Sequence, residues 1–192
     1  MAMTTQQKLI DSARRLIQSR GYNGFSYADV AEEVQVRKAS IHHHFPAKSD
    51  LARAVIEESR SYFVSAVETL ASAPFDPMTQ LRMYTGYWEK CIVDDSAPFC
   101  VAGMLASELP TLPDDLADSV HEHFRDLSRW VELVLTRGAQ DGCFVLERSA
   151  RQEAESFMAT VYGGMMMARA FRDPKVFCDI VDGVFRRLAP KS

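Results

Sequence analysis

Residues 26–48 constrain this chain more than any other stretch: Ser-Tyr-Ala-Asp-Val-Ala-Glu-Glu-Val-Gln-Val-Arg-Lys-Ala-Ser-Ile-His-His-His-Phe-Pro-Ala-Lys. They predict two short helices joined by a tight turn. Ser26 caps the first helix, and Asp29, three residues on, makes a capping box. Val30, Ala31 and Val34 give that helix one apolar face. Gln35 occupies the turn, and Val36 is expected to open the second helix, with Ile41 on its buried side. Arg37, Lys38, Ser40, His42 and His43 are left to point outward. Phe45-Pro46 ends the helix, because the residue before a proline is pushed out of helical geometry. A helix this short is unstable alone, so it must be held by neighbours. A cationic, hydrogen-bonding second helix of this kind is what a helix-turn-helix presents to a DNA major groove.

The rest of the chain also reads as helix, with no alternating strand pattern, internal repeat or low-complexity tract. Leu9, Ile10, Ala13, Leu16 and Ile17 follow helical spacing up to Gly21. A fourth helix is expected from near Ser49 for about 22 residues, or ~33 Å. Its apolar side would carry Leu51, Val55, Tyr62, Phe63, Ala66 and Leu70. Asp76-Pro77 opens a fifth, with Leu81, Tyr84, Trp88 and Cys91 along one face. Residues 94–98 break the chain, and Phe99 to Leu109 forms a short apolar helix. A long helix then runs from Pro113 toward Gly142. Ser149 and Gln152 box the start of the next, and Asp173-Pro174 opens the last. The expectation is an all-α chain of nine helices.

The composition, 47% apolar and 25% charged over 192 residues, is that of an ordinary globular protein. No apolar run is long enough to cross a bilayer, and the first residues lack a signal peptide's apolar core, so the cytoplasm is the expected location. A net charge of −4 is at first sight wrong for a DNA binder. Residues 1–50 carry seven cationic against five acidic side chains, a total of +2, which leaves −6 on the remainder. A basic head on an acidic body keeps phosphate attraction local.

Several chemistries are excluded. His42-His43-His44 cannot converge on one ion, since adjacent helical residues point about 100° apart; His121 and His123 fail likewise. The four cysteines, Cys91, Cys100, Cys143 and Cys178, are scattered with no Cys-x-x-Cys pair, so neither a zinc site nor disulfides are expected. There is no phosphate-cradling Gly-rich loop, nucleophile elbow or His-Glu-x-x-His. Asp114-Asp115 suits a helix N-terminus electrostatically. No catalytic residue, metal or cofactor is assigned.

The segment around residues 6–56 resembles the DNA-binding signature of the tetracycline-repressor (TetR) family. The resemblance is carried by Leu9 to Ile17, Gly21-Tyr22, Ser26, Val30-Ala31, Val36, Ala39-Ser40-Ile41, His44-Phe45, Lys48 and Leu51, in the family's order and spacing. Two positions depart from it. Gln35 stands where the family usually has Gly, and His42 where it usually has a Tyr that touches a phosphate. The resemblance implies a nine-helix fold, with a three-helix helix-turn-helix headpiece over residues 1–47 and a ligand-binding and dimerisation domain over 48–192. It implies a homodimer on a palindromic operator, its two heads one DNA turn or about 34–36 Å apart, released by a small-molecule inducer. The DNA-binding residues would be Ser26, Tyr27, Arg37, Lys38, Ala39, Ser40, His42, His43 and Lys48.

In the body, Tyr84, Trp88, Met104, Trp130 and Tyr162 come from several helices, and such aromatic and sulfur groups either pack a core or line an apolar pocket. TetR-like bodies hold an inducer in such a place. Phe99 to Met104, with Glu108-Leu109-Pro110 and Pro113-Asp114-Asp115, resembles a TetR branch that answers reactive electrophiles or small unsaturated acids. Cys100 is therefore read either as a sensing thiol or as a buried structural one. Gly163-Gly164, Ala168 and Ala170 on one helix, and Phe177, Val181 and Phe185 on the next, are expected at a four-helix dimer seam. The rival reading is a small-molecule carrier or an enzyme with an incidental helix-turn-helix.

Overall fold

The computed structural model describes residues 3–97 and 99–190, all of whose regular elements are helical. Pro98, at the end of the expected break, lies outside the described residues. The chain divides into two compact units, residues 1–64 with 99–124 and residues 65–98 with 125–192. Two long helices, α4 (Lys48–Ser72) and α7 (Asp114–Gln140), run from one unit into the other.

In the first unit, α1 (Thr5–Arg20) starts at Thr4, whose hydroxyl accepts from the Gln7 N–H, and turns Leu9, Ile10, Ala13, Leu16 and Ile17 inward. α2 (Tyr27–Val34) opens with the expected Ser26–Asp29 capping box. α3 (Lys38–His44) begins two residues later than the sequence suggested. Val36 and Arg37 stay out of the helix, with Arg37 as an N-cap in extended conformation and no side-chain cap bond. The delay follows from Gln35, which takes the left-handed conformation (φ 59°, ψ 46°) that a glycine would adopt freely. The chain needs those extra residues to redirect itself. Phe45 stops α3 in extended conformation before Pro46.

The first third of α4 buries Leu51, Ala52, Val55 and Ile56. The expected apolar stripe does not continue unbroken, because Tyr62 is 64% exposed. α6 (Val101–Ala106) and a 3-10 turn (Leu109–Thr111) complete this unit, together with the start of α7, where Leu116 and Val120 are fully buried. Polar ties fix the packing. The Gln18 amide donates to the Phe99 carbonyl at 3.1 Å, in a buried position. Arg60 pairs with Glu122, linking α4 to α7.

The second unit contains α5 (Pro77–Val93), α8 (Ala150–Phe171) and α9 (Lys175–Leu188), with the later part of α7. Asp76 caps α5 ahead of Pro77, and Ser149 with Gln152 boxes α8, both as the sequence predicts. α8 and α9 pack tightly because position 164 is glycine: a Cβ there would sit 3.2 Å from the Phe177 ring. Glu153 is fully buried at the α8 N-terminus and pairs with Arg148 (3.3 Å) and Arg187 (2.7 Å). Burial alone would raise its pKa, but hydrogen bonds and charge from the two guanidinium groups reverse this and hold the carboxyl below the usual range.

A sharp dependence arises at Gly21. Its φ of 77° with ψ of 177° is backbone that side chains rarely adopt, and an added Cβ would lie 2.6 Å from the Glu108 carboxylate. Gly21→Ala is expected to cost about 1–3 kcal/mol of stability. In a Glu108→Ala background the same change should cost less, since backbone strain remains but the clash is gone. Urea midpoints at constant m-value, compared around the double-mutant cycle, check this. Additive losses would mean the carboxylate yields without resistance.

Candidate DNA-binding surface and effector site

Within α3, one side chain is buried. Ile41 has no exposure, whereas Arg37, Lys38, Ala39, His42 and His43 on the other side of the turn and helix are exposed, and Ser40 is half-exposed. An α3 of seven residues therefore offers its exposed groups from a single anchored face. Every side chain expected to meet DNA on this helix is available there.

The braces around α3 are aromatic and polar. The Tyr27 hydroxyl reaches the carbonyls of Phe45 (2.8 Å) and Ala47 (2.6 Å), pinning the turn after α3 to the start of α2. Its ring meets His42 edge-on, with centroids 4.9 Å apart. Burial, then the negative charge of Asp50 and the nearby Tyr22, pushes the Tyr27 phenol up to about 12. The His42 Nδ1 lies 3.2 Å from the Pro46 carbonyl oxygen. Ser26, read as a DNA contact, is engaged locally: its hydroxyl bonds the Ala28 N–H and the Asp29 carboxylate.

Lys48, expected among the DNA-binding residues, is engaged within the head. Its ammonium donates to the Phe25 carbonyl and lies 4.4 Å from the centroids of both the Tyr22 and Phe25 rings. Burial lowers its pKa, against the opposing charges of Glu108 and Asp29. A desolvated lysine held over two rings acts first as a cation–π clamp.

Glu108 is a residue that sequence reasoning missed. The backbone N–H groups of Tyr22 and Asn23 donate to its two carboxylate oxygens, at 2.5 and 3.0 Å. The Asn23 amide adds bonds to Glu108 (3.1 Å) and to the Thr111 hydroxyl (2.9 Å). Successive N–H groups in a turn form a concavity for an anion, and here a side chain from 86 residues away fills it. No local pattern announces such a pairing; the Gly21-Tyr22 turn was the single visible trace.

Of the expected effector residues, Tyr84, Trp88, Trp130 and Tyr162 belong to the second unit, and Cys100 and Met104 to the first. Tyr84 and Trp130 meet edge-on at 5.5 Å, and Tyr84 also approaches Phe157 at 6.3 Å. The Trp88 indole N–H is buried with no hydrogen-bond partner among the described residues. An unpaired buried donor costs roughly 1–3 kcal/mol. Cys100 is 4% exposed at the N-cap of α6, and all four cysteines are free thiols. Such burial suits a packed thiol better than a reactive one.

The expected seam residues divide. Phe177, Val181 and Phe185 are 1%, 5% and 3% exposed within a single chain, so their side chains already belong to its own core. The sequence places the apolar stripe of α9 at a dimer seam; within one chain that stripe is already covered. Gly163 is different: it is exposed, with open space where a Cβ would stand. On the same face of α8, Met166 (56%), Met167 (38%) and Phe171 (63%) are strongly exposed, and Ala170 lies among them. Among the described residues, no group of three His, Cys, Asp or Glu side chains gathers to hold a metal, and no helix is long and apolar enough to cross a membrane.

Comparison with known proteins agrees with this architecture. Residues 9–55 match the family of bacterial regulatory proteins of the tetR type, and residues 77–183 match the tetracyclin repressor-like C-terminal domain. A crystal structure of a TetR-family transcriptional regulator from Agrobacterium tumefaciens shares 45% identity, covering 96% of this chain and 97% of that one, with a TM-score of 0.93. The HTH-type transcriptional regulator LmrA of Bacillus subtilis is 24% identical over 169 residues, 85% of this chain and 86% of its own length. The HTH-type transcriptional repressor NemR of Escherichia coli K12 is 21% identical over 170 residues, 88% and 85% respectively.

The Tyr27 brace can be tested directly. Tyr27→Phe removes one hydroxyl and should cost about 1–2 kcal/mol, with faster amide exchange in α3 than in α1. Uniform exchange across both helices would show that α3 does not depend on it.

The helix-turn-helix head, the all-helical body and both family matches place this chain in the TetR family of transcriptional regulators.

Proposed function

We propose that this regulator is a homodimeric repressor that holds a palindromic operator and releases it when a small molecule binds the body. The observation that carries this reading is the exposed row Arg37, Lys38, Ala39, His42 and His43 around a fully buried Ile41. A short cationic helix anchored on one apolar side chain and kept bare on the other suits insertion into a major groove. Arg37 and Lys38, at the start of α3, are the base-reading candidates, and Ala39 can meet a thymine methyl. Ser26, Tyr27 and Lys48 support the surface from behind and beside it, and Ser40 and His43 complete it. Functionally the division is a head over 1–47 and a body over 48–192, acting on DNA in the cytoplasm. The repressive sense is supported by NemR, a relative named as a repressor.

Release by a ligand is supported by the second unit. Tyr84, Trp130 and Tyr162 supply aromatic surface, and the unpaired Trp88 N–H asks for an acceptor that an effector would bring. Non-covalent binding fits better than attack by Cys100, because that thiol is buried. Dimerisation through α8 is supported by its exposed Gly163, Met166, Met167, Ala170 and Phe171, an apolar row on one helix that water does not favour. Phe177, Val181 and Phe185 stand behind that row as its foundation rather than in it.

Sequencing the genomic fragments that the purified protein retains tests the whole reading; recovery of a shared two-fold site is the expected result, and a random set would overturn it. Arg37→Ala should then change the preferred base at one position of each half-site at a cost of about 1–3 kcal/mol. Quantitative footprints on single-base variants of the site check it. Met166→Glu should place a charge in the seam and yield monomers with weak operator binding. Sedimentation that still finds dimers would put the seam elsewhere.

A further inference from the structure

The turn between α1 and α2 is gripped from two sides. Glu108, just ahead of the 3-10 turn, accepts the Tyr22 and Asn23 N–H groups on its two carboxylate oxygens, at 2.5 and 3.0 Å. Lys48, the first residue of α4, donates to the Phe25 carbonyl and lies over the buried rings of Tyr22 and Phe25. The two grips carry opposite charges, and that of Glu108 acts on Lys48. The carboxylate is seated directly against the backbone, since a Cβ on residue 21 would lie 2.6 Å from it.

What is fixed at this turn is passed on to the reading helix. α2 begins at Tyr27, two residues beyond Phe25, and the Tyr27 hydroxyl holds the Phe45 and Ala47 carbonyls at the exit of α3. Apolar packing around Ile41 is non-directional and tolerates a small rotation. Two N–H bonds to the two oxygens of one planar carboxylate fix direction as well as distance, and the charge strengthens both. We propose that Glu108 is a positioning residue for operator recognition: through the Tyr22 and Asn23 amides it sets the pitch of α3, and with it the half-site spacing that the homodimer accepts. This rests on the operator reading above.

A two-headed reader meets spacing as an angle. One base pair inserted between the half-sites turns the second by about 34–36° and moves it by about 3.4 Å. A head tied to one helix can follow that rotation, whereas a head tied to two resists it. Lys48 ties the turn to α4, and Glu108 ties it to the segment that leads into α7; both helices continue into the second unit. Without the carboxylate, the head keeps the Lys48 clamp and the Gln18 bond to the Phe99 carbonyl. Neither of these engages an amide N–H of the turn, so neither replaces the directional hold.

The test uses the duplex recovered by fragment retention, together with versions that gain or lose one or two base pairs between the half-sites. Anisotropy titrations of the labelled duplexes give, for each protein, the ratio of affinity at the recovered spacing to affinity at the altered ones. The unaltered protein should favour the recovered spacing by about tenfold or more, because both heads must engage at once. In Glu108→Ala that ratio should fall toward unity, even where the best affinity also falls. Glu108→Gln keeps one oxygen that can accept and should give an intermediate ratio; it carries the test where Glu108→Ala does not stay folded by thermal melting. Leu16→Ala loosens the buried side of α1 without touching the turn, so it should lower the melting temperature and keep the ratio. An unchanged ratio in the folded Glu108 variants overturns the inference alone, as does an equal flattening in Leu16→Ala or an unaltered protein indifferent to spacing. Failure to recover any two-fold duplex overturns the operator reading and this inference with it.

Discussion

A seven-residue helix does not persist in water by itself, and α3 is such a helix. Everything that makes the head usable follows from the stability it borrows. Ile41 gives it a hydrophobic root, Tyr27 ties its exit to α2, and Phe45 stays buried as the chain turns into α4. The borrowed stability leaves the outer residues free of structural duty. Arg37, Lys38, Ala39 and His43 are exposed and can vary with the DNA the head is proposed to read, while Ile41 and Tyr27 hold the helix in place.

The same economy operates at the α1–α2 turn. Two backbone N–H groups there would otherwise be left to water, and Glu108 takes both. The acceptor is charged, so each bond is stronger than a neutral one. Its approach is possible because residue 21 has no side chain. Lys48 then contributes a positive charge to the neighbourhood of Glu108 while clamping Tyr22 and Phe25. Polar chemistry thus finishes a core that apolar packing began.

The order and type of the helices were largely legible in the sequence, because caps and periodicity are local. Ser26–Asp29, Asp76-Pro77 and Ser149–Gln152 each mark a helix start within a few residues, and each occurs where it was read. The start of α3 was misplaced by two residues, since Gln35 takes a left-handed turn that its side chain does not advertise. What the sequence withheld was partnership across distance. Nothing near Glu108 names Tyr22, and nothing in the stripe of Phe177, Val181 and Phe185 says whether its cover is the same chain or another. Periodicity reports that a face is buried, never against whom. For the same reason the two aromatic rings that hold Lys48 are not announced by its neighbours in the chain.

The carboxylate of Glu108 has a practical meaning for anyone building chimeric regulators. Cutting the chain after residue 47 and grafting the front piece onto a foreign body would leave the Tyr22 and Asn23 amides facing whatever that body supplies. The transplantable module is discontinuous: residues 3–64 must travel with 99–124, or the recipient must be given a glutamate at the matching place. A modular sensor assembled at the apparent sequence boundary would inherit the reading head without its buckle.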